Sequence, residues 1–402
     1  MRHGETTANL VGVWQGWSNA AFSPTGADQV RRLASRLGGS AFDLVVSSDL
    51  GRASDTAAAL GREFESDRRW RELHLGSWEG LTQDEITSLD AFEAIRNGGD
   101  VAFGGGETVT ELVARVTEAF TELASRLDPG GRALVVSHGG ALFGLVGAIL
   151  GIDARGKLLR LTNTSMTTLR VGDEGTELVT YNDSAHLAQA PVRAEPDSTH
   201  VYLIRHGETE ANVAGRWQGR QDGVLTDLGR AQAELLAPVL PQLDVLYTSA
   251  LGRARDTASI LAAVTGHRVD AVSGFEEIGF GDWEGLTSEE IGLLDPAGLA
   301  ALVDGDDEPR GRSGETLAAA QARMRLAVED LVGRHHGGAV GVVTHGGSMR
   351  ALAIGLLGLP FAQRRRIAVV GNTAIGHLTS GASGLAIAAW NLAPHSSVPA
   401  RP

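Results

Sequence analysis

The sequence contains no cysteine. That excludes disulfides, thiolate metal sites and cysteine nucleophiles together, without fixing the compartment. Long apolar runs are missing too: none approaches the ~20 residues needed to cross a bilayer. No basic-then-apolar signal segment leads the chain, so a cytoplasmic protein is expected. Positive charge is in deficit. A formal net charge of −14 argues against binding to nucleic acid or to an anionic membrane, since such partners require a basic face. An anionic substrate would have to be captured by a local cluster of Arg and His. Gly104-Gly105-Gly106 lacks the Gly-Lys-Ser/Thr ending of a nucleotide-binding loop and reads as a turn. His335-His336 lack supporting carboxylates at metal-ligand spacing and read as exposed.

What is present is an ordinary globular composition, 43% hydrophobic and 21% charged, spread over 402 residues. That length favours two domains. Internal repetition gives the same count. Arg2-His3-Gly4-Glu5-Thr6 recurs as Arg205-His206-Gly207-Glu208-Thr209, and Ser48-Asp49-Leu50-Gly51-Arg52-Ala53 as Ser249-Ala250-Leu251-Gly252-Arg253-Ala254. Gly76-Ser77-Trp78-Glu79-Gly80 is answered by Gly281-Asp282-Trp283-Glu284-Gly285, Ser137-His138-Gly139-Gly140 by Thr344-His345-Gly346-Gly347, and Asn182 and His186 by Asn391 and His395. A near-constant offset of about 200 residues means two copies of one domain rather than a short-unit solenoid. The expected division is a domain over 1–190, a linker over 191–198 with two prolines in the surrounding stretch, and a domain over 199–402.

Each copy repeats one order of elements. A helix is expected from Pro24 to Leu37, with a counterpart from Asp227 to Leu240. Short strands are expected over Phe42 to Val46 and Leu243 to Tyr247, with helices following through Thr56 and Thr257. Apolar runs over Ala133 to Val136 and Val340 to Val343 stop at the second histidine of each copy. Strands alternating with helices imply two tandem three-layer α/β/α domains, each a mostly parallel sheet with helices on both faces. Chemistry in such sheets gathers outside the carboxyl ends of the strands, where both histidines of each copy fall.

Two histidines, two arginines and a glutamate recur in order: His3, His138, Arg2, Arg52 and Glu72, then His206, His345, Arg205, Arg253 and Glu277. Phosphoryl transfer needs this inventory. Guanidinium forks match phosphate oxygens, a neutral imidazole can attack phosphorus and carry the group, and a carboxyl can protonate the leaving oxygen. The Gly after each nucleophile candidate would let backbone amides approach an oxyanion. Each residue alone has a plainer reading. A histidine at a strand end is more often a structural hydrogen-bonder, Arg52 and Arg253 could be surface residues at helix starts, and Trp78 and Trp283 read as core with Glu79 and Glu284 solvated. Joint recurrence favours chemistry.

The ordered motifs, including Gly106-Glu107-Thr108 and Gly314-Glu315-Thr316, make both halves resemble the histidine phosphatase (phosphoglycerate mutase-like) superfamily nearly end to end. The resemblance implies that His3 and His206 are phosphorylated nucleophiles and that Glu72 and Glu277 are proton donors. Arg2, Arg52 and His138, and Arg205, Arg253 and His345, would hold the phosphoryl group, with Asn9, Gln15, Asn212 and Gln218 contacting phosphate. It implies no metal and no cofactor, and a small phosphorylated metabolite as partner. Hydrolysis of phosphomonoesters is expected, because segments like those holding a bisphosphate in the mutases are not found. The alternatives are a mutase-type phosphotransferase, or one active domain beside a pseudo-enzyme binding domain.

Two asymmetries remain. Thr199 to Ile204 precedes Arg205, whereas only Met1 precedes Arg2, which would put a charged α-amino group close to His3; either the start is clipped, which is expected, or the first domain survives with a damaged sheet. The segments expected to cap the sites, Leu81 to Gly105 and Leu286 to Ser313, also differ. In the second, Arg310 or Arg312 is expected to meet another anionic group of the substrate, so that the copies accept different esters.

Overall fold

The computed structural model describes residues 1–187 and 197–395. Most of the expected linker, 191–196, lies outside them. By compactness the chain forms two units: Met1–Ala154 with Arg160–Thr167, and Arg155–Leu159, Thr168–Ala185 and the second half of the chain. Among the described residues no helix is long and apolar enough to cross a membrane.

The first unit holds strands β1 (Leu44–Ser47), β2 (Glu65–Ser66) and β3 (Ala133–Val136), in the order β2-β1-β3 and all parallel. Its helix Pro24–Leu37 begins where the sequence predicts. The Ser23 hydroxyl accepts from the Gly26 N–H (2.9 Å), Pro24 needs no intrahelical donor there, and Val30, Leu33 and Leu37 form the buried stripe. Leu33 and Leu37 pack with Ala53 and Ala57 of helix Gly51–Ala58 on Leu134, Val136 and Met166. Helices Val109–Ser125 and Gly139–Leu150 pack on each other.

The second unit holds the sheet in which β4 (Met166–Gly172) and β5 (Gly175–Asp183) are followed by β6 (Thr199–Arg205), β7 (Val245–Thr248), β8 (Val269–Ala271), β9 (Ala339–Thr344), β10 (Ile375–Gly381) and β11 (Gly384–Leu392). Their order is β4-β5-β11-β10-β6-β9-β7-β8. From β6 through β9 and β7 to β8 the strands are parallel; β10 runs antiparallel to β6 and to β11. β6 is central, and its Val201, Leu203 and Ile204 are fully buried, each worth about 1.5–3 kcal/mol against exposure. Helices Asp227–Leu236 and Gly252–Thr265 cover Ile204, Leu246 and Val343 on one face. Helices Leu317–Arg334 and Gly346–Leu357 pack together against β6.

Three expectations shift. The helix expected to reach Leu240 stops at Leu236 and tightens into a 3-10 turn over Ala237–Val239, because Pro238 cannot donate an intrahelical bond. Residues 155–159 and 168–185, expected within a first domain spanning 1–190, belong to the second unit. Six residues of β6 zip against β10, whereas Met1 and Arg2 supply two beside β3; β5 pairs instead with β11, Tyr181 opposite Trp390. Finally, Met1 is buried and its amino nitrogen donates to the Val135 carbonyl (2.7 Å). Burial lowers that amine to about pKa 5, so it is neutral, not charged, near His3 at pH 7.

Candidate active site

In the second unit β6 ends at Arg205 and His206 follows; β9, in register beside it, ends at Thr344 and delivers His345. The His206 N–H donates to the Thr344 carbonyl (3.0 Å), and the two imidazoles stand 5.2 Å apart. Register between parallel strands is therefore what juxtaposes them. Gly207 turns the chain away at once. A side chain there would sit 2.4 Å from the Gly229 carbonyl, and its N–H donates to Thr257 Oγ1 (3.0 Å). That amide is spent on packing, so the expectation that it faces an oxyanion is corrected.

Hydrogen bonds set the tautomers. His206 Nδ1 lies 2.7 Å from the Gly207 carbonyl. A carbonyl only accepts, so Nδ1 carries the proton and Nε2 keeps its lone pair. Burial holds the ring's pKa well below the ordinary value, and Arg205 and Arg253 push the same way; at pH 7 it is neutral and nucleophilic. His345 Nε2 lies 2.9 Å from Ser249 Oγ, which accepts from the Leu251 N–H. The remaining hydroxyl proton can be donated to Nε2, the arrangement that puts the ring proton on His345 Nδ1. Burial, then Arg253 and His206, keep this ring neutral as well.

Three buried donors around His206 have no hydrogen-bond partner among the described residues: His345 Nδ1, Arg205 Nε and Gln218 Nε2. Leaving a buried donor unmet costs about 1–3 kcal/mol. A tetrahedral oxyanion would answer all of them. Arg253 contributes differently from expectation. It is 1% exposed, not a surface residue; its Nη1 and Nη2 donate to the Gln221 and Gly219 carbonyls (2.7 Å each), and only Nε points at His206 Nε2 (3.2 Å). It braces the loop and touches the His206 ring with one N–H.

Glu277 is seated at the start of helix Gly346–Leu357. Its carboxylate accepts from the N–H groups of Ile278 (2.9 Å), Gly347 (3.1 Å) and Ser348 (2.8 Å), and from the Ser348 hydroxyl (3.1 Å). A side chain on Gly347 would stand 2.7 Å from Glu277 Oε1, and one on Gly346 would stand 3.0 Å from Val369 and 3.1 Å from Arg205, which accounts for the glycine pair after His345. Arg205, His206, Arg253 and Glu277 open on a cavity of about 490 Å³, walled by Trp217 and Phe280. That volume suits a small ester.

The first unit repeats this construction. His3 Nδ1 meets the Gly4 carbonyl (2.7 Å), Arg52 Nε donates to His3 Nε2 (3.2 Å), His138 Nε2 meets Ser48 Oγ (2.8 Å), and the imidazoles stand 5.1 Å apart. Arg52 braces the Ser18 and Gly16 carbonyls (2.7 Å each), and burial lowers its pKa to about 10, which still leaves it cationic. Arg2 donates to the Leu161 carbonyl as Arg205 does to Val370. Glu72 accepts from the N–H groups of Leu73, Gly140 and Ala141 (2.9, 2.9 and 3.1 Å). Burial first, then Arg52 and His3, keep His138 neutral.

Asn9 and Asn212 lie at the sites, but each spends its Oδ1 on capping a four-residue helix and on a second asparagine, Asn163 or Asn372 (3.2 Å). Gln15 donates to the Thr6 hydroxyl, and Gln218 Oε1 accepts from Thr209 (2.9 Å). Sequence reasoning missed Asn163 and Asn372, whose amides donate to the His3 and His206 carbonyls (3.1 Å). It also missed Thr164 and Thr373, held at φ +59° and +56° with their hydroxyls against His186 and His395. Recurrence of His186 and His395 was the available signal. Glu79 and Glu284 are half-buried rather than freely solvated: they accept from the Trp17 N–H (2.7 Å) and the Arg220 N–H (2.9 Å), tying down the loop that Arg52 or Arg253 braces. His335 is half-buried against the Tyr247 hydroxyl (3.1 Å).

The cap expectation for Arg310 fails. It is 4% exposed, paired with Asp307 (2.8 Å) and set over the Phe361 ring; among the described residues its charge is already met. Arg312 is exposed, at φ +63°.

This fold and site define a phosphoryl-transfer enzyme with a histidine nucleophile. The chain belongs to the histidine phosphatase superfamily (branch 1), whose model matches residues 1–184 and again 201–393. It is similar to glucosyl-3-phosphoglycerate phosphatase of Mycobacterium tuberculosis, 38% identical over 183 residues covering 43% of this chain and 81% of the relative. A probable phosphoglycerate mutase of Serratia proteamaculans is 36% identical over 168 residues, 41% of this chain and 78% of its own. Among solved structures, a phosphoserine phosphatase variant from Entamoeba histolytica in complex with phosphoserine has 30% identity and a TM-score of 0.45, covering 49% of this chain and 98% of that one.

Proposed function

We propose that both units hydrolyse small phosphomonoesters, each through its own phosphohistidine. The neutral Nε2 of His206 attacks phosphorus in line with the ester oxygen, forming the N–P bond as the P–O bond breaks. Glu277 gives its proton to the departing oxygen. It then takes a proton from water, which attacks phosphorus, breaks the N–P bond and releases phosphate. Arg205, His345 and Gln218 hold the non-bridging oxygens, and the Arg253 Nε–H yields Nε2 to phosphorus and moves to an equatorial oxygen. His3, Glu72, Arg2, His138 and Arg52 take the same parts in the first unit, where the Gln15 amide instead donates to the Thr6 hydroxyl.

The observation that carries this reading is the set of buried, unanswered donors around a neutral imidazole. A small phosphorylated metabolite as substrate, and the cytoplasm as the place of action, belong to the same proposal. The test is release of p-nitrophenol from p-nitrophenyl phosphate by His3→Ala, His206→Ala and the double variant. Each single variant should keep measurable turnover and the double variant should lose it. If His206→Ala alone abolished turnover, the first unit would be a binding module instead. Phosphate release that required a bisphosphate primer would favour the mutase reading.

A further inference from the structure

The two sites differ on one wall. Val370 and Leu161 are matched by their carbonyls, which accept from Arg205 and Arg2. The residues just before them, Val369 and Arg160, therefore occupy one position in the repeat. In the second unit Val369 lines the cavity together with Trp217. In the first unit the corresponding pair is Trp14 and Arg160, with the Arg160 guanidinium 6.0 Å from the Trp14 ring centroid. Trp14 is itself stacked on Phe103 of the cap, with ring centroids 6.3 Å apart. An apolar wall in one site is thus a cationic wall in the other.

Among the described residues Arg160 differs from Arg216, Arg220 and Arg71. Arg216, which lines the second cavity, is paired with Glu290 (2.8 Å), and Arg220 with Glu315 (3.0 Å). Arg71, stacked on Trp17 at the first site, is paired with Asp49 (2.6 Å). Arg160 is exposed, and among the described residues no hydrogen bond or ion pair holds its guanidinium. An aromatic face orients it without neutralising it. Its charge is left for something that enters the site.

We infer that Arg160 makes the first site selective for phosphomonoesters that bear a second anionic group, a carboxylate or another phosphate, on the part of the substrate that departs. The second site, with Val369 at that position, favours leaving groups without one. The inference rests on the proposed phosphatase activity of the first unit. It places the second-anion contact in the first copy, on the wall beside the arginine that follows β3 in space, and not in the second copy's cap.

The test isolates each site and compares 3-phosphoglycerate with glycerol 3-phosphate, which carries a hydroxymethyl in place of the carboxylate. In the His206→Ala background, Arg160→Ala should raise KM for 3-phosphoglycerate about tenfold more than KM for glycerol 3-phosphate, the size of one lost charge-assisted contact. Equal changes for both substrates, or none, would overturn the inference. In the His3→Ala background, Val369→Arg should lower KM for 3-phosphoglycerate relative to glycerol 3-phosphate; Val369 is 43% exposed, so the longer side chain has room. If His206→Ala proved inactive towards both esters, the phosphatase reading of the first unit would fail and the selectivity of that site with it, whereas an active His206→Ala variant whose preference Arg160→Ala leaves unchanged would overturn the inference alone.

Discussion

Gly347→Ala is the most informative single change at the second site. The new Cβ would stand 2.7 Å from Glu277 Oε1 and 3.1 Å from its Cδ. Ordinary contact needs about 3.4 Å, so the carboxyl must retreat by roughly 0.7 Å. Retreat lengthens its bonds to the Gly347 and Ser348 N–H groups, now 3.1 and 2.8 Å. The backbone tolerates the change: Gly347 lies at the start of a helix with no positive φ, and alanine is the better helix former by up to ~1 kcal/mol. The effect should therefore fall on proton transfer, not on folding. A displacement approaching 1 Å costs on the order of 100-fold in a positioned step. In a His3→Ala background, kcat for glycerol 3-phosphate should drop by about that factor. First-turnover release of p-nitrophenol, a leaving group that departs without a proton, should change only a few-fold. Equal losses for the two esters, or no loss for the alkyl ester, would refute the role given to Glu277.

Acid should destabilise the second unit early. His206, His345 and His377 have folded pKa values lowered by burial, His377 to about 3. Below about pH 6.5 the unfolded chain takes up protons that the folded unit excludes. Stability is therefore full above that pH and falls beneath it by about 1.4 kcal/mol per pH unit for each ring, about 4 kcal/mol for three. Urea unfolding midpoints that stayed level from pH 7 to 5.5 would contradict this. Arg310→Ala should leave KM for either ester unchanged while lowering stability by about 2 kcal/mol through the lost charge-assisted bond, since Asp307 keeps the Leu317 and Ala318 N–H groups as partners, read as a fall in Tm of roughly 4–8 °C; a changed KM with unchanged Tm would reverse the assignment.

The motifs made the catalytic set legible because register does the rest: once β6 and β9 are parallel neighbours, His206 and His345 must meet. What stayed hidden depends on atoms the sequence does not orient. Nothing in Arg253 says that its two Nη groups will brace carbonyls and only Nε will reach the nucleophile. Ser249 sets the His345 tautomer, yet in sequence it is one serine at a strand end. Thr373 at φ +56° runs against residue preference, so local propensity points away from it. Arg310 sat in a loop of mixed charge that read as a substrate contact, because burial against Phe361 is a tertiary fact. Residues 168–185 were assigned to the first domain by repeat order, whereas strand pairing puts them with the second unit.

The central claim is that the phosphoryl group passes through His3 and His206. Rapid quench of the wild-type chain with a phosphomonoester at high pH, where phosphohistidine survives, followed by peptide mass spectrometry, reads this directly. An acid-labile, base-stable phosphate should appear on the peptide bearing His206 and on the one bearing His3, each lost in the corresponding alanine variant. Phosphate on a serine or an aspartate, or turnover with no covalent phosphate on either histidine, would contradict it.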